Sequence, residues 1–222
     1  MMVRDEGRPE SLTSLLGGKK GALDATLPPV AFGLGWWLSS SSVGVGVIVA
    51  VVVSVLLAVW RLRRGDKPRS VLIGLAGVCI AGLIALYTGR GEDFFLLQLL
   101  SNGASALAWI ISIAVGWPLL GVVVGTVLGQ KTRWRKDRAL VRAYSRASWV
   151  WVCQYLLRLA VFLPLWMVGA VGALTAARVA MTWPLIAACL AVSWWVFQRQ
   201  LPHGHPGIRH PRTDQPSTEV LE

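Results

Sequence analysis

The sequence predicts an all-α membrane protein: a polytopic bundle of about six transmembrane helices, or five if the first apolar segment is re-entrant. Hydrophobic residues make up 55% of the 222 positions, and apolar runs recur from Leu27 to Phe197. A soluble domain of this length has too little interior for so many apolar runs. The runs are continuous rather than alternating, which favours helices over a closed barrel.

The bundle is expected over residues 22–197, between a cytoplasmic N-terminal tail of residues 1–21 and a disordered cytoplasmic tail of residues 198–222. Its first segment runs from about Ala22 to Ser39, but only Leu27 to Leu38 is continuously apolar. Twelve residues of helix rise only ~18 Å, which is short of a ~30 Å hydrocarbon core. This shortfall leaves the re-entrant alternative open.

Five further spans are predicted, at about Val43–Trp60, Val71–Tyr87, Phe94–Gly116, Ala147–Val168 and Ala173–Phe197. The apolar stretch after Phe94 continues to Gly129, and as a single helix it would be roughly 54 Å long, too long for one span. We therefore predict a break at Gly116-Trp117-Pro118. Pro118 is expected in the first position of a short inner-surface or re-entrant helix over about 118–129.

Two sets of small residues predict close helix contacts. Gly121, Gly125 and Gly129 have a doubled GxxxG spacing, which predicts contact within the chain, with a second copy or with another membrane protein. The third span also offers a close-packing face, made of Gly74, Gly77, Ala81 and Gly82.

Residues 131–146 contain seven basic side chains, interleaved with Trp134, Leu140, Val141 and Tyr144. This pattern predicts an amphipathic helix on anionic lipid headgroups. A basic loop on the inner side is an equally good interpretation and predicts the same location.

The distribution of charge predicts the orientation of the chain. Nineteen of the 22 lysines and arginines fall in the two tails and in the loops after the second and fourth spans. By the positive-inside rule, these segments lie in the cytoplasm, so the protein is expected in the cytoplasmic membrane with both termini inside. The net charge of +11 thus follows from topology, and no nucleic-acid partner is predicted.

Several polar side chains lie where lipid contact would favour leucine. Arg158 is near the middle of the fifth span, with Gln154 one turn away, and Arg178 lies near the outer end of the sixth. An arginine at such depth must face the bundle or water. On the fourth helix, Gln98, Asn102 and Trp109 belong to one polar stripe. We therefore expect a polar cluster open to the outer side, made of Glu92, Asp93, Gln98, Asn102, Arg158 and Arg178.

Three functions are compatible with this cluster, besides a structural ion pair that only holds the bundle together. The preferred interpretation is a non-catalytic protein of the cell envelope that acts through helix contacts. The second is a small carrier or channel component with its polar cluster around Arg158, in which Arg158 and Arg178 attract an anionic solute from outside. The third is a membrane-embedded enzyme acting on a lipid or isoprenoid, with Glu92 or Asp93 as general acid. The sequence has no motif of a conventional enzyme, and no cofactor or metal is predicted.

The chain also resembles a family of actinobacterial integral membrane proteins, the domain of unknown function 3159. The resemblance rests on Gly17-Gly18-Lys19-Lys20-Gly21, Asp24, Pro28, Phe32, Arg61 to Arg64, Thr88 to Phe95, Pro118, Trp134-Arg135 and Asp137. It implies an actinobacterial cytoplasmic-membrane protein and supplies no catalytic residues. A more distant similarity to the intracellular septation protein A family implies a role in envelope or division maintenance.

Overall fold

A computed structural model describes residues 18–129 and 132–200, and this part of the chain is helical apart from its turns. Its α-helices are α1 Gly18–Leu38, α2 Val43–Arg63, α3 Pro68–Thr88, α4 Leu96–Ala114, α5 Leu119–Val127, α6 Arg138–Met167 and α7 Val171–Gln200. Short 3-10 helices, Gly91–Phe95 and Arg133–Lys136, precede α4 and α6. Most of both predicted tails lies outside the described residues.

Among the described residues, five helices are long and apolar enough to cross a membrane: α2, α3, α4 with its preceding 3-10 turn, α6 and α7. Large apolar side chains on these helices face outward, such as Ile48 (64% exposed) and Ile73 (68% exposed). So much exposed apolar surface would be unfavourable in water, whereas it is favourable in contact with lipid. The predicted class, a polytopic helical membrane bundle, is confirmed. α1 is not among the five, and its course through the membrane stays a prediction.

The helix boundaries follow local chemistry. Ser42 caps α2 by accepting a hydrogen bond from the backbone of Val45, and Gly89 ends α3 in a left-handed conformation. The predicted break between α4 and α5 is confirmed, with Gly116 at φ 73°. Pro118 precedes the first residue of α5 rather than occupying it. The helix that contains the fifth predicted span, α6, already begins at Arg138, so much of the basic segment is helical, as one of its two interpretations predicted.

The described chain forms two compact units. The first contains residues 18–101 and 158–184, and the second contains residues 102–157 and 185–200. α4, α6 and α7 contribute residues to both units.

Aromatic stacking lies at the centre of the first unit. Phe32 of α1 stacks on Phe94 with 4.0 Å between ring centroids, and Phe95 meets both rings edge-on. Val171 and Leu174 at the start of α7 are buried in the same cluster. The two phenylalanines of the 3-10 turn thereby fix the start of α4 against α1.

Glycines allow α1, α2 and α3 to pack closely in this unit. A methyl group at Gly46 of α2 would lie 3.0 Å from the Phe32 ring, and one at Gly82 of α3 would lie 2.8 Å from Val47. These contacts are tighter than a Cβ atom normally accepts. By contrast, Gly74 and Gly77 have open space where a Cβ would be. Only the Ala81–Gly82 end of the predicted small-residue face therefore packs closely.

The second unit has its own core around Trp134. Its ring is 1% exposed, meets Tyr144 edge-on at 5.5 Å and covers Gly121, where a methyl group would lie 2.8 Å from the indole. Leu140 is also buried in this cluster, against which Leu120 of α5 packs. The apolar side of the basic segment thus contacts α5 of its own chain.

Candidate functional site

A cavity of about 450 Å³ lies within the first unit. Its wall consists of Pro28, Pro29, Gly74, Gly77, Val78, Ala81, Phe94, Leu97, Gln98, Ser101 and Arg178. The volume is within the range of pockets that hold small molecules. The wall is mainly apolar, and Arg178 is its one charged residue.

Arg178 and Gln98 form the polar part of this wall. The Arg178 guanidinium donates a hydrogen bond from Nη1 to the side-chain oxygen of Gln98. This bond joins α7 to α4, and it orients a fixed positive charge at the cavity surface. Because a guanidinium presents several N–H donors in a planar fork, the same group can bind a carboxylate or a phosphate.

The mouth of the cavity lies on the sides of the membrane-crossing helices. Gly74 of α3 and Ser101 of α4 are exposed, and Leu97 is 37% exposed. Gly74 is fourteen residues from the end of α3 at Thr88, or roughly 21 Å along the helix axis. The exposed rim therefore lies at the level of the hydrocarbon, and the cavity opens sideways.

Arg158, the expected centre of the polar cluster, is next to this cavity but not in its wall. Its Nη2 donates to the backbone oxygen of Met181 at 2.8 Å, and Met181 is three residues after Arg178 on α7. The bond gives a charged donor a partner within a membrane-crossing helix.

The acidic turn before α4 contacts the α6–α7 junction. Asp93 is 4% exposed and accepts a hydrogen bond from the Trp166 indole at 2.9 Å. Arg90 donates to Glu92 at 2.7 Å, and its guanidinium lies over the Trp166 ring, 5.6 Å from the centroid. The bond with Glu92 raises the pKa of Arg90. Both carboxylates therefore have partners other than the expected arginines, and neither lines the cavity.

Three other predicted residues belong to the second unit. Asn102 is 2% exposed and Gln154 is 3% exposed. Trp109 stacks on Trp151 with 5.5 Å between ring centroids and 7° between ring planes. The predicted cluster is thus divided between the units, and of its members Gln98 and Arg178 line the cavity.

Sequence reasoning missed the apolar part of the site. Pro28 and Pro29 lie inside α1 and are buried in the cavity wall, although the sequence analysis assigned neither of them to a site. Adjacent prolines inside a helix remove two backbone donors, and this irregularity was the available signal. Gly74 and Gly77 were expected to pack against a helix and instead leave space.

These features define a multi-pass helical membrane protein with a laterally open cavity that carries one arginine. No group of side chains suited to hold a metal ion occurs among the described residues. Residues 16–204 match the family described as "Protein of unknown function (DUF3159)", and the chain belongs to that family. No curated protein and no solved structure shows significant similarity to the chain.

Proposed function

We propose that this protein binds an anionic amphiphile from the surrounding membrane in the cavity beside Arg178. The single observation that supports the proposal is the position of Arg178 in the wall of an apolar cavity that opens at hydrocarbon depth. The anionic headgroup, a carboxylate or phosphate, would bind Arg178 and Gln98. The hydrocarbon chain would lie against Gly74 and Gly77.

The charge of the wall favours an anion. Arg178 is the one charged residue of an otherwise apolar wall, and an anionic headgroup at that wall would form a charge-assisted hydrogen bond with its guanidinium. Because Gln98 already orients the guanidinium, less side-chain freedom is lost on binding. A cationic ligand would instead be repelled by the positive charge of Arg178.

The sideways mouth favours a lipid over a water-soluble anion. A solute from water would have to pass exposed apolar side chains such as Leu97 to reach Arg178. A membrane amphiphile already has its chain in the hydrocarbon and need only bring its headgroup to the arginine. This proposal replaces the carrier site centred on Arg158 with a lipid site centred on Arg178.

The enzyme alternative is less well supported by the geometry. A general acid must reach the reacting atom of the bound substrate. Asp93 accepts a hydrogen bond from Trp166, Glu92 forms an ion pair with Arg90, and neither is at the cavity wall. The proposed lipid-binding function is therefore non-catalytic, in agreement with the preferred interpretation of the sequence.

Association with a second copy or another membrane protein through helix contacts stays a prediction. The packing of the second unit limits which glycines such a partner could contact. Gly121 is already covered by Trp134 of the same chain. Gly125 is buried as well, so a partner at this ridge would reach only Gly129, which is exposed. A role in envelope or division maintenance also stays a prediction.

We further propose the cytoplasmic membrane as the location, with the C-terminus in the cytoplasm. The support is the concentration of basic residues in the tails and in the loops after α2 and α5. Under this orientation the acidic turn lies on the outer side and Arg178 lies about 10 Å below it, seven residues into α7.

Replacement of Arg178 tests the binding proposal. The full chain in zwitterionic nanodiscs is titrated with phosphatidylglycerol, and binding is measured by native mass spectrometry. Arg178→Gln should weaken binding about ten- to a hundredfold, because a hydrogen bond to a charged group contributes ~1.5–3 kcal/mol. Arg178→Lys should retain part of the affinity, since the charge remains.

Arg158→Gln is the comparison variant: it removes an intramembrane arginine that lies near Arg178 but does not line the cavity, so it separates direct contact with the headgroup from nearby positive charge. It should leave phosphatidylglycerol binding within about threefold of the wild type, a difference of under 1 kcal/mol. Inorganic phosphate in millimolar excess should not compete. Competition would indicate a soluble anion instead, and equal affinity of Arg178→Gln and the wild type would refute the site.

A further inference from the structure

A second, smaller cavity of about 30 Å³ lies in the first unit beyond the amphiphile site. Its wall consists of Pro28, Ser54, Leu57, Ala58, Arg61, Val71, Gly74, Leu75 and Val78. Pro28, Gly74 and Val78 line both cavities, so the two spaces are adjacent along α3. The small cavity has room for at most about two water molecules.

Together the two cavities extend along much of α3. Their walls use residues from Val71 to Ala81 of this helix, which covers roughly 15 Å along its axis. Val71 is three residues, or roughly 4.5 Å, from the first residue of α3 at Pro68. The combined space thus runs from the level of Arg178 almost to the opposite end of the span.

Each end of this space has an arginine. Arg178 lies at the wide end, and Arg61 in the last turn of α2 lies at the narrow end. Arg61 donates to the Asp66 carboxylate at 2.8 Å, and both side chains are largely buried, at 13% and 16% exposure. The Asp66 backbone N–H also bonds to the Arg61 carbonyl, which fixes the pair in one tight turn.

We infer that the two cavities are the wide and narrow ends of one passage, by which the anionic amphiphile moves between the two membrane leaflets. The inference rests on the proposed lipid site at Arg178. The headgroup passes along Gly74, where no Cβ obstructs it, and is received at Arg61. The narrow end holds about two waters, which is too little for a headgroup, so it must widen during passage; Arg61, which lines it, is held in place by Asp66. The movement is downhill and needs no energy source.

Transbilayer movement of a labelled lipid tests this passage. The full chain is reconstituted in phosphatidylcholine vesicles that contain a trace of phosphatidylglycerol with a fluorescent label on its acyl chain. A membrane-impermeant quencher then reports the fraction of label in the outer leaflet over time. Wild-type protein should accelerate the exchange of labelled phosphatidylglycerol over protein-free vesicles, and labelled phosphatidylcholine should move more slowly.

Ser54 provides a matched pair of variants for the narrow end. Its hydroxyl donates to the Ala50 carbonyl within α2, so the residue lines the small cavity without bonding to another helix. Ser54→Val fills this space and should slow the exchange to the protein-free rate, whereas Ser54→Ala leaves the space and should not. Asp66→Asn weakens the Arg61–Asp66 pair and should accelerate exchange about tenfold, the effect of losing one charge-assisted bond.

Binding of phosphatidylglycerol, measured on the same samples, separates this inference from the binding proposal. Ser54 and Asp66 do not line the amphiphile site, so their variants should bind like the wild type. If the wild-type protein binds phosphatidylglycerol but does not accelerate its exchange between leaflets, the passage is refuted and the lipid-binding site is not. Loss of wild-type binding would overturn both. Equal exchange rates for Ser54→Val and Ser54→Ala would place the route elsewhere and refute the passage.

Discussion

Replacing Asp93 with alanine should destabilise the protein much more than the same change at the neighbouring Glu92. Asp93 is 4% exposed and bonds to Trp166 across the start of α4 and the end of α6. Its loss removes a hydrogen bond to a charged group and leaves the indole N–H without its partner, which costs about 2–3 kcal/mol. Glu92 is itself 14% exposed, but its partner Arg90 is 51% exposed, so water screens this ion pair and its loss should cost less.

The assay is the midpoint of heat-induced loss of the monodisperse protein in detergent, measured by size-exclusion chromatography. A change of 1 kcal/mol shifts the midpoint by ~2–4 °C for a chain of this size, so Asp93→Ala should lower it by roughly 4–12 °C. Trp166→Phe removes the indole N–H donor and should also lower the thermal midpoint. Similar midpoints for Asp93→Ala and Glu92→Ala would refute the assignment of Asp93 as the residue that holds this turn in place.

Two other predictions concern packing and orientation. Gly82→Ala brings a methyl group 2.8 Å from Val47 and should lower the thermal midpoint, whereas Gly77→Ala has open space and should raise it. The expected difference is about 1–3 kcal/mol, because overpacking opposes the gain in helix propensity in the first variant only; equal midpoints would contradict the close contact of α2 and α3. A fluorescent protein that folds only in the cytoplasm, fused after Glu222, should be bright if the C-terminus is inside, and a dark fusion at normal expression would reverse the orientation.

The sequence predicted the fold class because lipid imposes strong constraints on composition and on backbone hydrogen bonding. The break at Gly116 follows from the length of the apolar stretch and from Pro118, so it needed no tertiary information. The change from charged to apolar side chains at Ala147 predicts where the span begins, while the helix that contains the span begins at Arg138. Charge patterns locate the membrane surface and not the ends of helices.

The candidate site was predictable only in part. Arg178 and Gln98 were identified because polar side chains are rare in membrane helices. Their partners were not, since Arg178 bonds to a residue eighty positions away and helix rotation decides which side chains meet. Gly74 and Gly82 share one helix and one residue type, yet Gly74 lines a cavity and Gly82 contacts Val47. The difference depends on which neighbour lies beside each glycine.

By itself, the sequence determined a multi-pass helical membrane protein, five of its spans and the presence of charged groups within them. These properties follow from each segment's own composition, because every helix satisfies its backbone internally and meets lipid independently. Tertiary structure alone decided that Asp93 binds Trp166, that Arg178 lines an apolar cavity and that Pro28 lines two cavities of different size. Such features depend on distances between helices, which packing sets and a linear pattern does not contain.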